Sequence, residues 1–380
     1  MKIQIVCFMF LWSYAHSSCV TPLGATSECV SLYDCAPLLA SFEQRPLPSH
    51  VVSFLRQSSC GFEGYVPQVC CGPLPAQTST STPRPRPRPT RPPNNNNGQR
   101  SPVEAEDSSP APSDVCGIDT QGDRIYGGQF TDLDEFPWMA LMGYRTPSGS
   151  ITYQCGGVLI NRRYILTAAH CVTGAITREV GTLVTVRLGE YDLQSETDCM
   201  NDSCADPPVE VPVDSSHPHS GYSDSNSDKR DDIALVRLAQ RVKYSYYVQP
   251  ICLPDGRSRL TVGNDVFVAG WGKTLNGRNS PVKLKLKVPI FEKENCIKKY
   301  RTLGAELTSN QICAGGKFAE DACRGDSGGP LMRAKNNGVW ESVAVVSFGY
   351  GCGRDGWPGV YTSTANYLDW IRSTLQSTNV

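Results

Sequence analysis

The chain has 380 residues, of which 36 are Lys or Arg and 37 are Asp or Glu, so its net charge is close to zero. Such a balance gives no electrostatic indication of nucleic-acid binding. The length allows two or three domains, one of them with a large core. Seventeen cysteines argue against a reducing compartment and favour a secreted protein whose thiols pair.

The first residues follow the pattern of a secretory signal peptide. Lys2 precedes the apolar run 3–12, and small residues follow at 15–18. The run is too short to cross a bilayer, and no later stretch is long and apolar enough to do so. We therefore expect a signal peptide over residues 1–18 and a secreted protein without a membrane partner. Loss of Cys7 with the leader leaves an even number of cysteines.

Six cysteines fall within residues 19–71, which have few other means of holding together. A module of this size usually needs cross-links, because it buries too little apolar surface to offset its ordering entropy. Spacing alone leaves the pairing open. The pattern ends in two adjacent cysteines and resembles the clip domain of arthropod extracellular proteases. That resemblance implies a docking module for partner proteins, a plain disulfide-stapled spacer being the alternative. It also implies the pairs Cys19–Cys70, Cys29–Cys60 and Cys35–Cys71.

Residues 72–115 change in composition to Pro, Ser, Thr, Arg and Asn, with an Arg-Pro repeat over 83–89 and four Asn over 94–97. Such a segment cannot bury a core, so we expect an extended linker that acts as a tether. The repeat has a second interpretation, as a binding segment for an acidic surface or a heparin-like polymer.

Three short motifs later in the chain supply a nucleophile, a base and an orienting carboxylate. Ser327 lies in Gly-Asp-Ser-Gly-Gly-Pro, His170 lies in Ala-Ala-His-Cys, and Asp232 opens an apolar run. A serine hydroxyl needs a base to take its proton and donors to stabilise the oxyanion. Gly325 has no side chain to block that oxyanion, so its N–H and that of Ser327 are expected to form the oxyanion hole. Each motif alone is a weak signal, but together they predict a catalytic triad.

Short apolar or alternating runs punctuated by Gly and Pro predict strands. These runs are 158–160, 183–188, 233–238, 266–269 and 343–347. Residues 367–375 have the helical spacing of apolar side chains. Many short strands and one terminal helix fit an all-β domain of two antiparallel barrels, with the triad in the cleft between them.

Residues 125–380 resemble a trypsin-family serine protease. The resemblance rests on the three catalytic motifs and on three further features, which are Cys155 with Cys171, Gly-Trp-Gly at 270–272 and Ser-Phe-Gly at 347–349. It implies two antiparallel six-stranded β-barrels with a C-terminal helix, preceded here by the small disulfide-rich clip domain. It also implies that catalysis requires no cofactor.

The same resemblance implies a zymogen. Residues 116–124 would end the light chain, and the activating cut would fall between Arg124 and Ile125. The new Ile125 amine is expected to pair with Asp326. Because a buried carboxylate without a partner is costly, this ion pair would drive the oxyanion loop and the specificity pocket into order.

Specificity for Arg or Lys is implied by Asp321, which matches the floor of the family's specificity pocket, and by Gly349 and Gly359, which match its walls. An enclosed carboxylate selects a long cationic side chain, since a neutral occupant leaves it unpaired. The backbones of Ser347 and Gly349 are expected to pair with the substrate as a short added strand. Two departures from digestive trypsin, at the substrate shelf and the cleft rim, are Phe348 and Arg324.

The resemblance assigns most of the remaining cysteines. It implies the pairs Cys155–Cys171, Cys296–Cys313 and Cys323–Cys352. Cys116 and Cys252 are then left, and together they would tether the light chain to the catalytic domain. Cys199 and Cys204 are extra to ordinary trypsins and are expected to staple one loop.

That loop is rich in acidic residues, which are Glu190, Asp192, Asp198, Asp202 and Asp206. In trypsins the matching loop binds calcium through carboxylate and carbonyl oxygens, the ligands a hard cation requires. Glu190 and Asp192 are the first candidates, and a solvated acidic loop is the alternative. Asn201 begins the chain's only glycosylation acceptor pattern. His217 and His219 lie in a polar stretch and receive no role.

Within the clip-domain class the chain resembles prophenoloxidase-activating enzymes and proteases that process Toll-ligand precursors. Melanisation through prophenoloxidase is the first prediction, and processing of a cytokine-like Toll-ligand precursor is the alternative. The resemblance implies secretion into haemolymph, protein substrates, an upstream activating protease, serpin inhibitors and clip-domain cofactor proteins. A catalytically silent cofactor typically carries Gly at the nucleophile position, which Ser327 argues against. A digestive protease is disfavoured by the clip module and the tether.

Overall fold

The computed structural model describes residues 18–21, 23–31, 34–39, 58–63, 66–72, 107–118, 129–200, 203–256, 260–273, 279–316, 325–335, 337–351 and 354–378. Contact clustering divides the chain into residues 1–97 and 98–380. Nearly all of the expected signal peptide and most of the expected tether lie outside the described residues. In the described ranges, no helix has the length and apolar content needed to cross a membrane.

The first unit is a four-stranded antiparallel sheet with one short helix. Its elements are β1 (Ser18–Val20), β2 (Thr26–Ser31), α1 (Ala36–Leu39), β3 (Ser59–Glu63) and β4 (Val66–Cys70). The strand order is β1-β2-β4-β3. Its buried apolar cluster consists of Cys35, Leu38 and Val69. So small a core offsets little ordering entropy, which explains why cross-links are needed here.

One half of the second unit is a closed antiparallel barrel. Its six strands are β6 (Met139–Arg145), β7 (Ile151–Leu159), β8 (Tyr164–Thr167), β9 (Thr182–Leu188), β12 (Val209–Pro218) and β13 (Ala234–Leu238). The order around the barrel is β12-β13-β8-β7-β6-β9, and pairing of β12 with β9 closes it. Fully buried Trp138, Tyr144 and Tyr164 contribute to its core. The intervening hairpin of β10 (Cys199–Met200) and β11 (Ser203–Cys204) belongs to the acid-rich loop.

A seven-stranded antiparallel sheet forms the second half of this unit. In the order of the sheet, its strands are β16 (Gln311–Ala314), β19 (Gly359–Ser363), β18 (Trp340–Phe348), β17 (Pro330–Ala334), β14 (Asp265–Gly270), β15 (Leu284–Pro289) and β5 (Gln129–Phe130). Among the described residues, the two sides of this sheet are joined only by the isolated bridge between Ile290 and Ala314. The all-β fold is therefore confirmed, but the second barrel is a half-barrel. This sheet has seven strands where six were expected, because β5 pairs with the free edge of β15.

The described part of the second unit also contains three α-helices, α2 (Ala175–Glu179), α3 (Lys293–Arg301) and α4 (Leu368–Ser377). The side chain of Glu292 caps α3 by accepting from the Asn295 N–H at 3.1 Å. Helix α4 buries Ile371 and Leu375 against the first barrel, as expected from the spacing of its apolar residues. The five predicted strand runs lie in β7, β9, β13, β14 and β18, to within one residue at their ends.

Candidate active site

His170 and Asp232 form a hydrogen-bonded pair at the edge of the first barrel. His170 lies in a 3₁₀ turn, Ala169–Cys171, directly after β8, and Asp232 lies just before β13, the neighbour of β8. The Nδ1 atom of His170 is 2.7 Å from Oδ2 of Asp232, and the His170 backbone N–H donates to Oδ1 at 2.9 Å. Because the carboxylate can only accept, Nδ1 carries the proton and Nε2 is left as the basic nitrogen.

Two residues from the half-barrel hold Asp232 from the other side. The Ser347 hydroxyl donates to Asp232 Oδ2 at 2.5 Å. The Thr362 hydroxyl donates to the Asp232 backbone carbonyl at 2.9 Å. Asp232 is fully buried, and a buried charge is stable only when it is paired and hydrogen-bonded. These contacts therefore keep an ionised carboxylate in a dry setting.

The pair shifts the pKa of both partners. Burial lowers the pKa of His170, but the charge and the hydrogen bond of Asp232 outweigh it and raise that pKa above its ordinary value. Burial raises the pKa of Asp232, but His170 and then Ser347 outweigh it and lower the pKa below its ordinary value. Asp232 thus stabilises the protonated imidazole. A catalytic base needs this stabilisation, because it must hold a proton during the reaction.

Ser327 lies on a glycine-rich turn that packs against the first barrel. Its carbonyl accepts from the Gly156 N–H at 2.8 Å, and the Cys171 sulfur lies 3.6 Å from the same oxygen. Gly328 has a φ of 79°, and a Cβ there would lie 2.2 Å from Oγ1 of Thr167. Gly325 has a φ of 107° and would meet the Gly272 backbone at 2.7 Å. The turn thus places Ser327 beside the segment that carries His170 and can form only with glycine on both sides.

The Asp326 carboxylate lies against the Gly-Trp-Gly segment. Its Oδ1 accepts from the Gly272 N–H at 2.9 Å. A Cβ at Gly270 or Gly272 would come within 2.2 or 2.4 Å of this carboxylate, which explains the two glycines of the motif. Arg124 and Ile125 lie outside the described residues, so the expected ion pair between Ile125 and Asp326 stays a prediction.

The residues expected to form the specificity pocket are only partly described. Gly349 follows β18 and Gly359 begins β19, and the adjacent residues Phe348 and Val360 pair in register. The structure therefore brings the two wall glycines to the same end of neighbouring strands. Asp321 and Arg324 lie outside the described residues, and the pocket floor stays a prediction.

Seven disulfides join expected partners in the described residues. They are Cys19–Cys70, Cys29–Cys60, Cys35–Cys71, Cys116–Cys252, Cys155–Cys171, Cys199–Cys204 and Cys296–Cys313. Cys323 and Cys352 lie outside the described residues, so this expected pair stays a prediction. Cys155, Cys171 and His170 approach one another closely, but both sulfurs belong to a disulfide and are unavailable to a metal ion.

The acid-rich loop contains two buried carboxylates. Glu190 accepts from Arg187 Nη1 at 2.8 Å and from the Tyr191 N–H at 2.9 Å. Asp198 accepts with Oδ2 from the Tyr191 and Asp192 N–H groups, whereas its Oδ1 is buried with no hydrogen-bond partner among the described residues. Burial raises the pKa of Glu190, Arg187 opposes this, and the Asp198 charge adds to it.

These observations fit a calcium site, because an unpartnered buried carboxylate oxygen beside a second carboxylate suits a hard cation. Asp192 lies in the same turn, but its Oδ1 accepts from the Gln194 N–H at 3.0 Å. Asp206 is exposed. Asp202 and the expected glycosylation site Asn201 lie outside the described residues.

Sequence reasoning missed the side-chain roles of Ser347 and Thr362. The Ser-Phe-Gly motif drew attention to the Ser347 backbone, yet the residue is buried and its hydroxyl donates to Asp232. Thr362 lies in the fully buried strand β19, where nothing in the sequence distinguished its hydroxyl from that of its neighbours. Both can be found only by asking which buried hydroxyls could donate to Asp232, since buried hydroxyls need partners.

Comparisons with known proteins agree with this geometry. The family model Trypsin matches residues 125–371, and the model for the regulatory CLIP domain of proteinases matches residues 19–71. Phenoloxidase-activating enzyme 1 of Spodoptera litura is 65% identical, with 97% of each chain covered. Phenoloxidase-activating factor 1 of Holotrichia diomphalia is 38% identical, with 97% of this chain and 98% of that protein covered. The solved structure of the Drosophila Grass clip serine protease of the Toll pathway is similar, with a TM-score of 0.61, 29% identity, and 96% of this chain and 98% of that chain covered.

The fold and the matched Trypsin family define a serine endopeptidase. Enzymes of this class need no cofactor for catalysis. More particularly, the chain belongs to the clip-domain serine proteases, because it matches both domain families and shares most of its length with insect members.

Proposed function

We propose that this protein is a secreted zymogen which, once cut between Arg124 and Ile125, cleaves extracellular precursor proteins after Arg or Lys. The observation that carries the proposal is the buried Asp232 carboxylate bonded to His170 Nδ1 at 2.7 Å beside the Ser327 turn. Such an arrangement prepares an imidazole to accept a proton from a serine hydroxyl.

In this mechanism Ser327 Oγ attacks the scissile carbonyl while His170 Nε2 takes the hydroxyl proton. The N–H groups of Gly325 and Ser327 hold the oxyanion, and His170 then gives its proton to the leaving amine. The scissile C–N bond breaks and leaves the acyl group on Ser327 Oγ. Water then attacks this ester while His170 Nε2 takes its proton, and His170 returns the proton to Ser327 Oγ as the C–O bond breaks and the carboxylic acid leaves. Asp232 stays ionised throughout and stabilises the imidazolium, which its lowered pKa supports.

Specificity and activation follow from groups placed around this centre. Asp321 would pair with the Arg or Lys side chain that precedes the scissile bond, and the glycines at 349 and 359 leave room for it. The backbones of Ser347 and Gly349 would pair with the substrate. After cleavage the Ile125 amine would pair with Asp326, whose carboxylate lies at Gly272 in the described structure.

The domain arrangement we propose is a signal peptide over 1–18, a clip domain over 19–71, a linker over 72–115, a light-chain end over 116–124 and a protease domain over 125–380. The two family matches support the clip and protease assignments. The leader pattern supports secretion, with haemolymph as the compartment. We propose Asn201 as the glycosylation site of the secreted protein.

The physiological substrate we propose is prophenoloxidase, in the melanisation cascade. The 65% identity to a protein named phenoloxidase-activating enzyme 1 supports this choice. A second candidate is the precursor of a Toll ligand, which the likeness to a protease of the Toll pathway favours. Under either reading an upstream protease cuts Arg124, and serpins and clip-domain cofactors are the expected regulators.

The direct test uses the full chain cut at Arg124. We expect the cut chain to hydrolyse an arginyl amide and Ser327→Ala to be inactive in the same assay. Uncut Arg124→Gln chain should stay nearly inactive, so full activity of that variant would refute zymogen control. Incubation with prophenoloxidase and with a Toll-ligand precursor, followed by sequencing of new N-termini, decides between the two substrates.

We also propose a structural calcium ion held by Glu190, Asp192 and Asp198. Calcium should raise the melting temperature of the intact protein relative to chelator, because a ligand that binds only the folded state stabilises it. Asp198→Asn should lose this response, whereas Asp206→Asn, which changes an exposed acid of the same loop, should keep it. Equal melting temperatures of the unmodified protein in calcium and in chelator would refute the site.

A further inference from the structure

The loop that leads into Asp232 has an unusual backbone. Lys229 and Asp231 have φ angles of 46° and 54°, a left-handed region that residues other than glycine seldom occupy. Asp231 immediately precedes the carboxylate that binds His170, so its backbone angles set the direction in which the Asp232 side chain leaves the chain. A conformation of this kind persists only where its surroundings hold it.

The C-terminal segment supplies that support. The Tyr367 hydroxyl, from the 3₁₀ turn Thr364–Tyr367, donates to Asp231 Oδ1 at 2.5 Å. The same hydroxyl accepts from Asn310 Nδ2 at 3.3 Å. The Ile233 N–H donates to the Asp231 carbonyl at 2.8 Å. Both the side chain and the backbone of Asp231 are therefore held, the side chain by a residue 136 positions away in the chain.

The surrounding packing leaves Asp231 little freedom. A Cβ at Gly221 would lie 2.3 Å from Asp231 Oδ2, so the carboxylate fills the space above that glycine. The ring of Tyr367 is buried and packs edge-on against His219 at 5.3 Å between centroids. His219 also packs against Trp370, and its backbone N–H donates to the Ile233 carbonyl at 2.9 Å.

We propose that Tyr367, acting through Asp231, is a positioning residue for the catalytic carboxylate. Without its hydroxyl, Asp231 can relax toward an ordinary φ, which rotates the peptide between residues 231 and 232. The bond between Asp232 Oδ2 and His170 Nδ1 then loses alignment. This inference rests on the proposed function, since it requires that Asp232 orients a catalytic base.

The test compares variants of the activated enzyme, each at a concentration fixed by active-site titration. Tyr367→Phe keeps the ring against His219 and removes only the hydroxyl, and Asp231→Asn keeps an oxygen that can accept from it. Tyr164→Phe is the matched control, because Tyr164 is also buried and its hydroxyl bonds to Thr378 at 2.7 Å, outside the active site.

With an arginyl amide as substrate, Tyr367→Phe should lose roughly tenfold in kcat with KM nearly unchanged, since misalignment acts on the chemical step. Its low-field proton resonance from His170 Nδ1–H should also shift. Asp231→Asn should remain close to the unmodified enzyme, and Tyr164→Phe should change neither quantity. Asp231→Ala should match Tyr367→Phe.

Unchanged kcat and an unchanged resonance in Tyr367→Phe would overturn the inference. An equal loss in Tyr164→Phe would do the same, because it would show a general effect of removing a buried hydroxyl. Failure of the proposed function looks different. In that case the unmodified activated enzyme does not hydrolyse the amide, or Asp232→Asn hydrolyses it as fast as the unmodified enzyme.

Discussion

Asp232 shows how individual residues make a buried charge usable. Its carboxylate accepts from the His170 backbone, faces the His170 ring and accepts from the Ser347 hydroxyl. Each contact favours the ionised form over the neutral acid. The same charge raises the pKa of His170, with Lys229 opposing it and Asp224 adding to it more weakly. Burial of His170 opposes this rise, and Asp232 is the neighbour that contributes most to the basicity of the imidazole.

Asp232→Asn tests this dependence through pH. His170 must be unprotonated to act as a base, so activity rises as pH passes its pKa. Because Asp232 raises that pKa, removing its charge should move the acid limb of kcat/KM to lower pH. Activity at the plateau should fall on the order of 10⁴-fold, as it does for the equivalent change in a related trypsin-type triad. The pH profile of arginyl amide hydrolysis measures both effects, and an acid limb that stays in place would contradict the assignment.

At the scale of elements, the turn that presents Ser327 depends on the absence of side chains. Gly328 has a positive φ and sits against Thr167 Oγ1 and the Gly156 carbonyl, which belong to β8 and β7. The turn is therefore packed directly on the barrel that carries His170. Any side chain at this position would separate the nucleophile segment from the base.

Gly328→Ala should lower both activity and stability. The added Cβ would lie 2.2 Å from Thr167 Oγ1, so we expect a loss of about 1–3 kcal/mol in unfolding free energy and at least about a hundredfold in kcat. Gly338→Ala is the control, because its φ is 75° but its added Cβ would meet nothing within 4 Å. Denaturant unfolding and amide hydrolysis measure the two effects. Equal losses in both variants would show that backbone strain alone, and not contact with the barrel, is responsible.

At the scale of the whole molecule, residues 107–118, which belong to the proposed light chain, pack on the catalytic unit. Asn161 Nδ2 donates to the carbonyls of Asp107 and Ser109 at 3.1 and 2.8 Å. Gly117 bonds through its N–H to Pro250 and through its carbonyl to the Trp340 N–H. Asp107 also lies 3.4 Å from Arg241. The strip 107–118 is thus bound along its length and not only through Cys116–Cys252. Residues 107–115, predicted from composition to be part of an extended linker, are therefore packed on the catalytic unit.

After cleavage at Arg124, the light chain should therefore stay bound even without the tethering disulfide. We expect the Cys116→Ser, Cys252→Ser double variant to co-elute as two chains in size-exclusion chromatography under non-denaturing conditions. Adding Asn161→Ala should speed dissociation roughly tenfold, because it removes two hydrogen bonds from partly or fully buried carbonyls. Immediate separation of the double variant would show that the disulfide alone retains the light chain.

The positions of Ser327, His170 and the glycines around them could be predicted from sequence, because local backbone requirements leave a signature in a few adjacent residues. The short strands and α4 could be predicted for the same reason, since alternation and helical spacing are local patterns. The seven-stranded half-barrel could not be predicted in this way. Pairing of β5 with the edge of β15 joins residues about 150 positions apart, as at Lys285 and Gln129, and no local pattern specifies it.

Sequence by itself thus determined which residue types this protein brings to its chemistry and which glycines its turns require. Only the tertiary structure decided how Asp232 is held. Ser347, Thr362 and Tyr367 reach Asp231 and Asp232 from 115, 130 and 136 positions away. Their hydroxyls have no local pattern, and their roles arise only when the half-barrel and the C-terminal segment pack against the first barrel and bury groups that must then find partners.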